Sequence, residues 1–570
     1  MKKLVLFFLI AAVLLLAAAI SLAGEWVPVS VHNQSINSDG GETPAELAIS
    51  VRAKLSRLRP DGKCAMIVTD HFDGVARNFD DYPDSITHTS ISGMFIAIAG
   101  LELGSKWRPE PNTVAYSHLL ALGLLPADYA KLAECYDRNT GEGLPLLDRF
   151  DTQQQLIDTV LSLGMLPVAA HPTQLVFGGP VVRRDNRFNM NSGFSGLRGV
   201  EMFNVLGPGQ DEECVNFYLR LVASGLPVFV TAGSDYHGLP TSAVPEAVLG
   251  SLDRVTWVYA DDFSEKSIIR AITQGKTYAA CNGAFFTAFL SDEGQNPGLG
   301  VVGVDQMTLT AQAWLYGSQV KLIVYRNGTE VFRQEYKGSQ SKKNIYALNC
   351  GDDFLNGWTD NNVTPGQLYS YVIRVVATTK FGEQTQLITS PISLRLRPRG
   401  QTAAFFDAIK TNNLAAMESS LATDPSLVNA RDFRQNYDFT VHMSRPLALS
   451  VACALANNET VQCLLDHGAI AEEYLTAGEP GPLMEVACIG DVEKARTLLE
   501  HGADINVCTD GNTPLVWAIG GKFTELAKFL IEQGANLEMT NDSGWRPLKI
   551  AKKNNMTEIV ELLLARGAKE

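Results

Sequence analysis

Between residues 27 and 300 short apolar runs alternate with amphipathic stretches. CAMIVTD, MFIAIAGLE, LPVAAHP, GVEMFN and LPVFVTAGSD are strand-like, and each ends in polar residues. ETPAELAISVRAKLSRL and TQQQLIDTVLSLG, lying between them, space their apolar residues as helices do. Alternating strand and helix units imply an α/β fold with a parallel sheet or barrel. In such folds the C-terminal ends of the strands hold the chemistry. From 303 to 397 the period changes to two: MTLTAQAWL, QVKLIVYRNGTEVFRQ and QLYSYVIRVVATT alternate apolar and polar positions. Arg326-Asn327-Gly328 supplies a hairpin turn, so this part is expected to be a small antiparallel β-sandwich. The Pro and Arg of LRLRPRG then look like a linker.

From 401 to 570 the pattern repeats. Pro446-Leu447, Pro482-Leu483, Pro514-Leu515 and Pro547-Leu548 recur at intervals of 32 to 36 residues. A second ladder accompanies them: LLDHGA ending at Ala469, LLEHGA at Ala503, LIEQGA at Ala535 and LLARGA at Ala568. The period resembles that of ankyrin repeats, each a turn and two short helices, with the Gly ending the second helix. With a degenerate first copy at AAFFDAIKTNNLAAMESSLA, about five units are expected. Each unit buries its apolar face only against its neighbours, which makes an all-α solenoid with a concave side. Such surfaces bind proteins, so a protein partner is expected there.

The 570 residues allow three or four domains, each able to bury a core. The first residues, MKKLVLFFLIAAVLLLAAAISLAGEW, join a basic start to an apolar run and the small-x-small Ser21-Leu22-Ala23. Residues 1–23 therefore read as a signal peptide cleaved after Ala23. The alternative is an uncleaved membrane anchor, because the run touches the lower length limit for a span. Either way the rest of the chain is expected to be exported, periplasmic or extracellular. The nine cysteines follow no CxxC spacing, and Cys453, Cys463 and Cys488 sit in apolar helical patterns, so no disulfide framework is expected. The formal charge of −15 becomes −17 without Lys2 and Lys3. A chain this acidic repels phosphate backbones, and no nucleic-acid binding is expected.

Metal-capable side chains gather at the predicted strand ends. They are His32 and Asp39 in VHNQSINSDG, Asp70-His71 in IVTDHFDG, Glu102 in AGLELGS, His118 in YSHLLALG, His171 in VAAHPTQ, and Asp235 and His237 in TAGSDYHG. Five of the nine histidines fall at such places. Carboxylates packed together repel, and burying them without compensation costs several kcal/mol each, a problem that divalent cations remove. In this order HNQSINSDG, TDH, GLELGS, AHP, VEMFN and GSDYHG resemble the PHP superfamily of metal-dependent hydrolases, over about residues 28 to 300. GKTYAACNG followed by the sandwich is similar to the CehA/McbA branch, named for members that cleave esters and carbamates.

The resemblance implies a distorted (β/α)7 barrel over residues 27–300 with two or three divalent metal ions (zinc, manganese or iron). It assigns His32, residue 34, Glu102 and Asp235 to a first ion. Glu102, His118 and His171 fall to a second, and Asp39, His71 and His237 to a third. It also marks Glu102, His171, Asp235 and His237 as the centre of catalysis. Here Gln34 stands where the family has its second His. An amide oxygen is a neutral, weaker ligand than imidazole. Four outcomes stay open: weak ligation by Gln34, a water in its place, loss of the first ion, or loss of catalysis. The intact remaining positions favour a working site with an altered first ion.

The implied chemistry is hydrolysis by a metal-bridged hydroxide of a phosphoester or a carboxyl or carbamate ester in a small molecule. Arg183 and Arg184 in VVRRDNRFNMNSG are candidates for phosphate recognition on an apparent loop, against the alternative of solvated loop charges. Asp70 and Asp73 either orient ligands or cap a turn. The competing function class is a weakly catalytic or non-catalytic module in which the ankyrin repeats carry the function.

Overall fold

The structure, a computed structural model, describes residues 25–569 except 38–39, 72–81, 111–112, 124–152, 173–174, 179–181, 186–193, 204–207, 237–253, 282–284, 291–301, 306, 316–318, 338–343, 348–357, 379–383, 433–445, 472–480, 509–511 and 542. The expected signal segment lies outside these residues. Among the described residues no helix is long and apolar enough to cross a membrane.

The N-terminal part is a barrel-like sheet. Its strands are β1 (Glu25–Asn33), β2 (Cys64–Val68), β3 (Phe95–Glu110), β4 (Thr113–Leu122) and β5 (Leu166–Ala169). A short antiparallel hairpin, β6 (Leu175–Gly178) and β7 (Val182–Asp185), precedes β8 (Gly199–Met202) and β9 (Phe229–Tyr236). The order β1-β2-β3-β4-β5-β8-β9 closes on itself, because β9 also pairs with β1. β3–β4 and β4–β5 are antiparallel, and the remaining pairs of the ring are parallel. Helices α1 (Pro44–Leu55), α2 (Tyr82–Thr87), α3 (Gln153–Ser162) and α4 (Pro208–Ala223) lie between strands in the chain. Thr43 starts α1 with a reciprocal capping box to Glu46.

Strand alternation divides the apolar side chains into two sets. Met66, Val68, Ala97, Ala99, Leu119, Ala121, Val200, Met202, Val230 and Ala232 join the apolar faces of α1 to α4 in one core. Their neighbours one residue away (Val29, Val31, Ile67, Ile98, Leu120, Val168 and Phe229) form a separate core. Among the described residues this second core has no member from those helices. It fills the ring, with Ile268, Ala271 and Ile272 of α5 (Glu265–Thr273) packed into it.

The sandwich departs from its expectation of a separate antiparallel domain. β10 (Arg254–Ala260) pairs with β1, and β11 (Thr277–Cys281) pairs with β10. Then come β12 (Phe285–Leu290), β13 (Val302–Val304), β14 (Thr308–Leu315), β15 (Gln319–Arg326), β16 (Thr329–Lys337), β17 (Asn344–Ala347), β18 (Trp358–Thr359), β19 (Leu368–Thr378), β20 (Gln384–Thr389) and β21 (Ile392–Leu396). β20 pairs with β11, so one continuous sheet runs from the barrel through β20, β19 and β21. β12 lies before residue 303 yet pairs with β14 in the smaller sheet, and β13 is parallel to β21. Polar groups tie the seam: Tyr218 donates to the Thr389 carbonyl at 2.9 Å, and Arg374 makes a two-armed ion pair with Glu212 of α4 at 2.7 and 2.9 Å. The expected hairpin is present: Asn327 and Gly328 take φ of 49° and 76°, the turn whose twist matches the strands.

Among the described residues the C-terminal part stacks five helix pairs: α6 (Gln401–Lys410) with α7 (Leu414–Thr423), α8 (Ala448–Leu455) with α9 (Asn458–Asp466), α10 (Pro482–Ile489) with α11 (Val492–Glu500), α12 (Pro514–Gly520) with α13 (Thr524–Glu532), and α14 (Pro547–Lys553) with α15 (Thr557–Ala565). Gly468, Gly502, Gly534 and Gly567 follow the second helices with φ of 83° to 92°. A Cβ there would meet nothing, so the need for Gly is conformational. LRLRPRG is not the expected linker. Its first residues complete β21, and buried Arg397 bonds Asp424 and Ser426 of the first repeat at 3.0 Å each. Pairing both the Arg charge and the backbone N–H of Gly303, which donates to Ser426 Oγ at 2.9 Å, fixes the joint.

Candidate functional site

At the C-terminal end of the ring, Glu102 of β3 is buried with side chains converging on both its oxygens. Its Oε1 lies 2.6 Å from His118 Nδ1 and 3.3 Å from His171 Nε2, which are themselves 3.3 Å apart. Its Oε2 lies 3.0 Å from His32 Nε2 and 3.5 Å from His71 Nε2, and it accepts from the Gln34 amide nitrogen at 2.6 Å. His32, Glu102 and His171 are buried; the side chains of His71 and His118 are 29% and 20% exposed, which puts the mouth of the site on their side.

The alternation that places Ile98, Leu120 and Ile67 inside the ring also turns inward Glu102, four positions after Ile98, His118, two before Leu120, and His71, four after Ile67 and just past the end of β2. His32 and His171 break that rule. Val29 and Val31 are the inner positions of β1, and Val168 and Ala170 those of the β5 segment. His32 and His171 therefore stand one residue out of phase, yet their rings reach Glu102. Both have left-handed backbones, φ 66° and 27°, and β1 shifts register between Ser30 and Asn33. A bulge at His32 and a turn at His171 re-aim the two rings inward. Such strain persists only where the surroundings over-determine it, and it clusters at functional sites.

Glu201 of β8 was absent from the sequence-derived set. Fully buried, its Oε1 lies 2.7 Å from His32 Nδ1, and its Oε2 accepts the backbone N–H of His171 at 2.6 Å. Gly233 makes room for it, since a Cβ there would sit 2.1 Å from the Glu201 carboxyl carbon. Burial opposes ionisation of Glu201, but His32 and the backbone N–H of His171 outweigh it and lower its pKa. Burial likewise opposes ionisation of Glu102, and the charges of His71, His32 and His118 hold it well below the usual carboxylate range. Two carboxylates and four imidazoles thus share one water-poor pocket. The signal for Glu201 in the sequence was GVEMFN, a strand with an acidic residue at an inner position.

Asp70 accepts from the backbone N–H of Ser35 at 2.5 Å and from its hydroxyl at 2.6 Å, so it holds the loop after β1. Asp235 stands two positions beyond Gly233 on β9, and only its backbone is described. Arg183 and Arg184, expected on a loop, lie on β7 opposite Phe177 and Val176, again with only their backbone described. Asp39, Asp73 and His237 lie outside the described residues.

Fold and site together define a barrel-like sheet that carries a buried histidine–carboxylate cluster and is followed by a repeat stack bonded to it through Arg397 and Gly303. A family model for ankyrin repeats matches residues 483–570 in three copies, so the C-terminus carries ankyrin repeats. The chain is 43% identical over 111 residues to the ankyrin repeat and KH domain-containing protein mask of Drosophila melanogaster, and 44% over 110 to ankyrin repeat and KH domain-containing protein 1 of Homo sapiens. It is 35% identical over 108 residues to an ankyrin repeat-containing protein of Treponema pallidum. Each match covers 19% of this chain, and 3%, 4% and 36% of the respective relative.

Proposed function

We propose that this chain is an exported protein with two working parts: an ankyrin stack that binds a protein, and a PHP-like (β/α)7 barrel that hydrolyses an ester with divalent cations. The comparisons reach the repeats and favour the protein-binding reading. The hydrolase reading is carried by one observation, the division of donors between the two oxygens of Glu102.

Because a carboxylate only accepts hydrogen bonds, His32 Nδ1 facing Glu201 carries the proton. With a cation bound, His32 would be neutral and offer its Nε2 lone pair, 3.0 Å from Glu102 Oε2, to the ion; with none bound, an imidazolium donates to both carboxylates. On the other side His118 Nδ1, His171 Nε2 and Glu102 Oε1 form a triangle with edges of 2.6 to 3.3 Å. Ligands about 2.0–2.1 Å from a tetrahedral zinc ion stand roughly 3.3–3.5 Å apart; the 2.6 Å edge between His118 and Glu102 would have to open, while the two 3.3 Å edges at His171 already match. Its Nδ1, buried and unpartnered among the described residues, leaves His171 anchored through Nε2 and its backbone.

His118, His171 and Glu102 would hold one cation, and His32 and Glu102 would hold a second; the family resemblance assigns Asp235, Asp39 and His237 to further ligation. Gln34 turns its amide nitrogen to the second position, which makes that position the weaker. A bound divalent cation supplies Lewis acidity and a nucleophilic water near neutral pH. Glu102 bridges the two donor groups and keeps them in one register. His32 and Glu201 close the floor against water, and the partly open His71 and His118 face the side from which a phosphoester, carboxyl ester or carbamate would enter. Arg183 and Arg184 are the proposed phosphate contacts.

The test combines metal analysis of the purified full chain with hydrolysis of p-nitrophenyl phosphates, diesters and carboxylates. Bound zinc, manganese or iron, with turnover abolished by chelator and by His118→Ala, supports the hydrolase. A chain that takes up no metal and shows no chelator-sensitive turnover leaves the protein-binding module alone.

A further inference from the structure

We propose that Glu201 is a positioning residue: one carboxylate holds both site histidines that stand out of phase with their strands. The inference rests on the cation reading above and deepens it. His32 and His171 come from opposite sides of the ring's sequence, and alternation alone would point both rings away from Glu102. Each reaches the site through a left-handed backbone, φ 66° and 27°. For an L-residue this conformation costs about 1–2 kcal/mol, so something must hold each one. Both rings meet Glu102, and behind it both residues are also held by Glu201. Its Oε1 takes the His32 ring at 2.7 Å, which fixes the tautomer and leaves Nε2 for the cation side. Its Oε2 takes the His171 backbone N–H at 2.6 Å, at the residue where the chain turns.

The fit leaves no play. Glu201 projects from an inner position of β8 into space that exists because residue 233 has no side chain; a Cβ there would lie 2.1 to 2.4 Å from three of the Glu201 side-chain atoms. Only a carboxylate meets both demands, because each oxygen must accept. An amide of the same shape offers one acceptor and one donor. If its oxygen faces His32, its NH2 confronts the N–H of His171. If its NH2 faces His32, the imidazole must move its proton to Nε2 and lose the lone pair directed at the site.

The experiment uses the full chain loaded with cobalt(II), whose visible absorption reports ligand number and geometry. Affinity is measured by competition with a chromophoric chelator, for the wild type, Glu201→Gln and Gly233→Ala. Glu201→Gln is expected to weaken cobalt binding about 10–100-fold, the usual effect of losing a partner behind a metal-ligating His, and to alter the absorption bands. Gly233→Ala keeps the carboxylate but displaces it, and a loss in the same direction is expected. If both variants bind cobalt with the wild-type affinity and spectrum, even with lowered thermal stability, Glu201 is only structural and the inference is overturned. If the wild type itself takes up no cobalt, the cation reading has failed, and the inference with it.

Discussion

Glu485 gives a prediction whose sign and size both follow from the structure. It lies on α10 inside the ankyrin stack, 1% exposed, and neither carboxylate oxygen has a hydrogen-bond partner among the described residues. The nearest cation by sequence, Lys494, is engaged elsewhere: its Nζ donates to the Cys453 carbonyl at 2.9 Å and lies 3.6 Å from Asp491. Burial alone therefore pushes the carboxyl up from its ordinary 4.5 to about 7. The folded chain favours the protonated form, so this group's stabilising effect is complete below pH 4.5 and is lost as the pH rises to about 7. The displacement corresponds to about 3 kcal/mol in all, of which about 2.5 kcal/mol is lost between pH 5 and pH 8. Glu485→Gln removes the titration and keeps the volume. Calorimetry of the full chain should show the variant gaining on the wild type as the pH rises, by roughly 5–10 °C in the transition of the stack over that range. A variant-minus-wild-type difference that stays constant from pH 5 to pH 8 would refute the reasoning.

Three further substitutions test the stack and its joint to the sheet. Gly534→Ala forces a side chain into φ 92° and should cost about 1–2 kcal/mol, although it meets no neighbour. Gly520→Ala, at the end of α12 with equally open space and no left-handed backbone, should instead stabilise by about 0.5–1 kcal/mol; urea unfolding separates the signs. Arg397→Leu strands Asp424 at the joint and should cost about 3–5 kcal/mol, visible as new proteolytic cleavage between β21 and α6. Uncleaved protein would mean that the joint holds without the ion pair.

Much of the candidate site was legible because strand alternation is a local rule. Once Ile98 and Leu120 are taken as inner residues, Glu102 and His118 follow at even spacing, and the structure places both at the centre. Asp70 was equally visible, but its role was not. Whether it orients a ligand or secures a loop depends on Ser35, which reaches it from the loop after β1.

The sequence by itself determined the repeat stack, its ladder of left-handed glycines and the inward residues of each strand, because each is set by contacts a few positions apart or by the neighbouring repeat. Only the tertiary structure decided the rest. The sandwich is fused to the barrel because β11 finds β20 more than a hundred residues later, and the supposed linker is a joint because Arg397 finds Asp424. Glu201 emerged in the same way, meeting a ring 169 residues before it and a backbone N–H 30 residues before it. Pairings between distant segments leave no period in the chain; they exist once closure of the ring brings those segments together.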